Sequence, residues 1–254
     1  MHYLLQRTTS LVIALTFFFG TIGNCRAANF QFSPMHVNLS EHNSAGTITL
    51  TNADDSPIRV EVNTFRWKQE TNGSAILNPT NDLVVFPQLL TIPAHGQRQL
   101  RLAITKAPSD FEETYKVSIT EIGTFSEAMA HATNVAMRIQ ANIPVFMAPV
   151  LDHKSGTITN AGIQKKAITF SIANTGTSHF ITKDIRIIGI GADTRQSFSQ
   201  EIDGTEILAG SKQEYHINLS REQCASLRAL TIQASAGNQH LMQTIAAPST
   251  ACNA

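Results

Sequence analysis

What most constrains this chain is an alternation of polar and apolar residues, repeated in short runs with turn-forming clusters between them. Residues 47–51 (TITLT), 59–63 (RVEVN), 100–104 (LRLAI) and 115–119 (YKVSI) place apolar side chains at every second position. On an extended backbone successive side chains point to opposite faces, so each run makes a strand with one buried face. Turn-forming residues gather between the runs, at 41–45, 52–57, 71–74, 93–96 and 107–110. Helical periodicity is almost absent. Short strands at such intervals predict a β-sandwich.

The pattern pauses at residues 149–155 (PVLDHKS) and begins again. Strands are expected over 167–173, 180–190, 206–208, 215–219, 230–234 and 241–245, with one helical turn within 220–227. We therefore expect an all-β protein of two sandwich domains, residues 28–149 and 150–254, joined by a short hinge with a cleft beside it. After Val62 the apolar parity moves to Phe65 and Trp67, which predicts a bulge or bend in that strand. Hydrophobic residues make up 42% of the 254, enough for two cores, and charged residues only 15%. Lysine plus arginine and aspartate plus glutamate both number 19, which removes the strongly basic surface expected of a nucleic-acid binder.

Residues 1–27 read as a cleaved secretory signal. Arg7 precedes an apolar run at 11–20 (LVIALTFFFG) that is short for a membrane span, and Cys25-Arg26-Ala27 offers a cleavage site after Ala27. A membrane anchor, or lipidation of Cys25, is the competing reading. Cleavage removes Arg7 and Arg26, leaving 19 − 2 = 17 basic against 19 acidic residues. No later apolar run approaches membrane length, so no stable membrane insertion is expected. Cys224 and Cys252 remain. In an exported chain they suggest a disulfide closing a loop of about 27 residues, worth ~3 kcal/mol in the chain-entropy model. Two free thiols are the alternative.

Residues 132–149 (ATNVAMRIQANIPVFMAP) run without a turn signal until their end. Val135, Met137, Ile139, Ala141 and Ile143 alternate with Ala136, Arg138, Gln140 and Asn142. The segment reads either as the last core strand of the first sandwich or as an edge strand whose apolar row is offered to another protein. In strand addition, main-chain hydrogen bonds supply affinity and alternate side chains fill pockets. Such an edge also gives the free protein a route to self-association.

Several pieces, in order, resemble a periplasmic chaperone of the chaperone–usher pilus family. They are residues 30–39 (FQFSPMHVNL), 82–87 (DLVVFP) with 92–102 (IPAHGQRQLRL), 115–122 (YKVSITEI), 143–146 (IPVF) before Pro149, and 171–176 (SIANTG). The IPVF form looks closest to the divergent branch that includes archaic and spore-coat-like pili. The resemblance implies a boomerang of two immunoglobulin-like domains located in the periplasm. Its partners would be pilus subunits lacking their last strand, to which it lends its own, and an outer-membrane usher. Carried over, the row Val135, Met137 and Ile139, continued by Ala141 and Ile143, would enter the subunit groove. Many members anchor the subunit's terminal carboxylate with an Arg on the first strand and a Lys on the long strand. Here those places fall at or beside His36 and at Pro144 or Asn142, neither a permanent cation. Arg101 is the expected replacement, because an Arg binds a carboxylate bidentately, with Arg138 and His36 as further candidates.

No H-E-x-x-H or paired-His motif, nucleophile elbow or phosphate-binding glycine loop occurs, so no metal, cofactor or catalysis is expected. His131, His153, His179, His216 and His240 are expected mostly solvated or capping, and Glu112-Glu113 a solvated loop. A structural pilus subunit or adhesin is the alternative of another kind. The short mature N-terminus, with no alternating apolar extension, argues against it. An exported enzyme is the third reading, with no constellation to support it.

Overall fold

A computed structural model of the chain describes residues 30–122 and 138–248. The expected signal segment, Val135, Met137 and Cys252 lie outside the described residues. The first domain contains β1 (Phe30–Ser33), β2 (Val37–Leu39), β3 (Ala45–Asn52), β4 (Ile58–Gln69), β5 (Ala75–Pro79), β6 (Leu83–Phe86), β7 (Leu89–Ile92), β8 (Gln97–Ile104), β9 (Glu113–Glu121) and β10 (Gln140–Met147). The second contains β11 (Gly156–Gln164), β12 (Ala167–Asn174), β13 (Phe180–Ile190), β14 (Gln196–Ile202), β15 (Glu206–Ile207), β16 (Lys212–Asn218), the helical turn α1 (Arg221–Ser226), β17 (Ala229–Ala236) and β18 (Gln239–Ala246).

Each domain is a two-sheet immunoglobulin-like sandwich. In the first, β1-β3-β8-β6 faces β2-β10-β9-β4-β5, with β7 added beside β4. In the second, β11-β12-β16 faces β14-β13-β17-β18, with β15 beside β13. The alternation read from sequence becomes the two cores. Ile48, Leu50, Val60, Val62, Leu100, Leu102, Val117 and Ile119 fill one, and Ile168, Phe170, Ile172, Ile185, Ile187, Leu230 and Ile232 the other. Each such side chain contributes about 1.5–3 kcal/mol when withdrawn from water. The expected helical turn is α1, where Ser220 and Gln223 form a reciprocal capping box. Its Cys224 is buried and disulfide-bonded.

The same asparagine device closes a turn in both domains. The Asn52 side chain accepts from the Asp54 N–H and donates to the carbonyls of Ser56, Ile92 and Pro93. The Asn174 side chain accepts from the Gly176 N–H and donates to the carbonyls of Ser178 and Ile207. Both are buried. Truncating Asn174 to alanine strands those groups, so urea unfolding should show a loss of about 2–3 kcal/mol. A loss below ~0.5 kcal/mol would mean that water replaces the amide.

The parity switch after Val62 is not a bulge. β4 pairs with β9 in unbroken register from Val60↔Glu121 to Arg66↔Tyr115. The switch instead marks a change of covered face. Up to Val62 the inner face is buried in the first core, whereas Trp67, on the outer face, is buried with Phe146 and Leu208 of the second domain.

Candidate functional site

β10 is the strand on which the functional reading turns. On one side it pairs with β9 along its whole length, Gln140↔Thr120 to Met147↔Glu113. On the other side β2 pairs with it, in parallel, only at Val145, Phe146 and Met147. Among the described residues, 140–144 therefore have a neighbouring strand on one flank only. The Ile139 carbonyl accepts from the Glu121 N–H, so odd-numbered residues of β10 bond to β9 and even-numbered ones turn their backbone groups outward. The Ala148 N–H, which donates to Leu39, follows the same parity. Gln140 and Asn142 thus present N–H and C=O to the open edge, while Pro144 presents C=O alone.

Side chains alternate in step. Ala141 and Ile143 point into this domain's own core, 8% and 0% exposed, so they are committed there rather than offered outward. Ile139, before the strand begins, is half-buried. Arg138, the residue before it, is exposed.

The other end of β10 enters the junction between domains. Phe146 packs with Trp67 at a ring separation of 6.2 Å and stacks on His179 at 4.0 Å. Lys116, opposite Pro144 in the β9–β10 register, lays its ammonium over the Trp67 ring, 4.1 Å from its centre. The Gln69 side chain, at the end of β4, donates to the Glu206 carbonyl and accepts from the Leu208 N–H, which straps β15 to the first domain. His179 bridges two carboxylates, with Nδ1 2.7 Å from Glu112 Oε2 and Nε2 3.5 Å from Glu206 Oε1. The hinge is held by the Thr177 N–H donating to the His153 carbonyl and the Glu112 N–H to the Thr177 carbonyl.

The electrostatics follow from partial burial. Burial holds the Lys116 ammonium below the usual lysine range, and the Glu206 charge draws it back up. Burial pushes the Glu206 carboxyl up. His179, Lys116 and His36 oppose that shift, and Glu112 adds to it. Two expectations are corrected here. Glu112-Glu113 is not a solvated loop, since Glu112 holds His179 and Glu113 pairs with Arg66 and Lys106. Nor is His179 a solvated histidine, being stacked on Phe146 and only 21% exposed.

Residues 29–151 match the family of pili and flagellar-assembly chaperones, PapD N-terminal domain. The first domain is a PapD-family chaperone domain. The chain as a whole is also similar in fold to solved chaperones. Against the class 5 fimbriae chaperone CfaA the TM-score is 0.57 at 18% identity, covering 85% of this chain and 98% of that one. Against the CsuC–CsuE chaperone–tip subunit complex of archaic Csu pili of Acinetobacter baumannii it is 0.53 at 15%, covering 75% and 91%. Against the Salmonella enterica SafA pilin in complex with the SafB chaperone it is 0.53 at 13%, covering 87% and 98%. No curated protein matches the chain.

Within this PapD-like frame the expected anchor residues separate. Arg101 lies on β8, exposed, with Thr47 and Phe86 as cross-strand neighbours. That is the outer face of the other sheet, away from the cleft, because the outer faces of a sandwich look in opposite directions. Arg138 stands eight residues from Phe146, about 26 Å along an extended strand. His36 immediately precedes β2 and acts electrostatically on Glu206, which puts it at the cleft. Sequence reasoning missed Lys116. The available signal was its parity: Tyr115 and Val117 are core residues, so Lys116 must face outward, on the strand next to Pro144.

Proposed function

We propose that this protein is a periplasmic pilus-assembly chaperone that lends the open edge of β10 to subunits lacking a strand and delivers them to an outer-membrane usher. The observation that carries the reading is the one-sided pairing of residues 140–144, in a domain of this family. Isolated open edges invite aggregation, and addition of a client's strand would cover this one. A subunit strand running parallel to β10 brings its terminal carboxylate toward Lys116 and His36. Lys116 then supplies, from β9, the cation that the resemblance places on the long strand. No helix among the described residues is long and apolar enough to cross a membrane. The role is binding and hand-over, with no catalytic step.

Co-expression with exported pilus subunits encoded nearby, followed by purification from the periplasm, should yield a 1:1 complex. Recovery of the chain in sheared fibres, with no soluble complex, would instead make it a structural subunit.

A further inference from the structure

Lys116 is matched by a carboxylate of the chain itself. Glu206 sits on β15, which Gln69 straps beside Trp67. Its side chain is 28% exposed, 3.5 Å from His179 Nε2 and within electrostatic reach of Lys116. The groups facing it are His179 from just before β13, Glu112 from before β9, Lys116 from β9 and His36 from before β2.

We infer that Glu206, held by His179 at the domain junction, is the cleft's internal counter-charge to Lys116, and that seating a client strand's terminal carboxylate there draws a proton from solvent onto Glu206. This rests on the strand-lending reading above. The physical reason is the crowding of like charges. A third carboxylate at Lys116 repels Glu206 and Glu112 in a partly desolvated site, and protonating Glu206 relieves the repulsion. The site is disposed to do so, since burial already favours the neutral form of Glu206. Binding a carboxylate raises that preference further, so by linkage it tightens as pH falls. The second domain thereby tunes how firmly the first holds a client.

The test uses two ten-residue peptides of alternating threonine and valine, one ending in a free carboxylate and one amidated. Trp67, the only tryptophan in the sequence, reports binding through its emission. The wild-type chain should prefer the carboxylate peptide, with the preference growing several-fold as the pH is lowered from about 8 to about 5.5, toward the protonated form that burial favours for Glu206. Glu206→Gln should bind that peptide roughly tenfold more tightly at the higher pH, and its preference should vary less with pH. Lys116→Met should erase the preference at every pH. Erasure by Lys116→Met, with Glu206→Gln indistinguishable from wild type, overturns the inference and leaves the strand-lending reading standing. A preference that survives Lys116→Met, or binding of neither peptide, overturns the reading of the cleft itself. Should Glu206→Gln fold poorly by thermal denaturation, the wild-type pH profile decides, and a flat profile overturns the inference.

Discussion

Replacing Trp67 with alanine should cost about 3–5 kcal/mol of unfolding free energy, in the range of a large buried aromatic removed without refilling. Trp67 is 7% exposed and is shared by both domains: it packs with Phe146 and Leu208 and carries Lys116 on its face. Its loss therefore removes packing from the first sandwich and from the junction together. Chemical denaturation measures the first effect. Small-angle scattering measures the second, as a broadened distribution of distances once the domains reorient. Trp67→Phe should retain most of both, because it keeps a ring against Phe146. An unchanged scattering profile in Trp67→Ala would show that the hydrogen bonds of the hinge hold the angle without the aromatic contact.

Changing the open edge should have the largest effect on client binding. Asn142→Pro deletes an N–H that points away from β9, so stability should move by no more than about 1 kcal/mol, as edge strands tolerate proline there. Affinity for a pilus subunit should fall about 10–100-fold, the value of one lost strand hydrogen bond plus the clash of the ring with an approaching backbone. Ile139→Asp places a charge where the apolar row leaves the core, and roughly hundredfold or greater loss is expected. Co-purification or surface plasmon resonance with the same subunit reads both. If both variants bind as well as wild type, clients do not dock along β10.

The fold was largely legible because alternation is written directly into buried strands. Residues 167–173 and 180–190, and the capped turn at 220–227, stand as β12, β13 and α1. Two other second-domain strands escaped for physical reasons. β11 is broken by an irregularity between Thr159 and Gly162, with Asn160 at φ 54°, so its alternation loses phase. β14 (QSFSQEI) is a polar edge strand with little apolar signal. The site was harder to read. Neighbourhood across strands decides it, and Lys116 beside Pro144 is a matter of register between segments 28 residues apart. The cleft carboxylates and His179 come together only when the domains dock, and no local pattern announces that. Trp67 shows the limit well: its parity was visible, but that the second domain covers it was not.

Pro144 has a final consequence. Sheets slip when one alignment is as good as the next, and a two-residue slide keeps every side chain on its proper face. A client strand docked on β10 as proposed cannot make that slide toward the hinge. Amide donors end at Asn142, the proline ring follows, and β2 already occupies the lane from Val145 onward. For a client docked as proposed, the edge is a berth with a buffer at its inner end, beyond which the guest's last residue cannot advance.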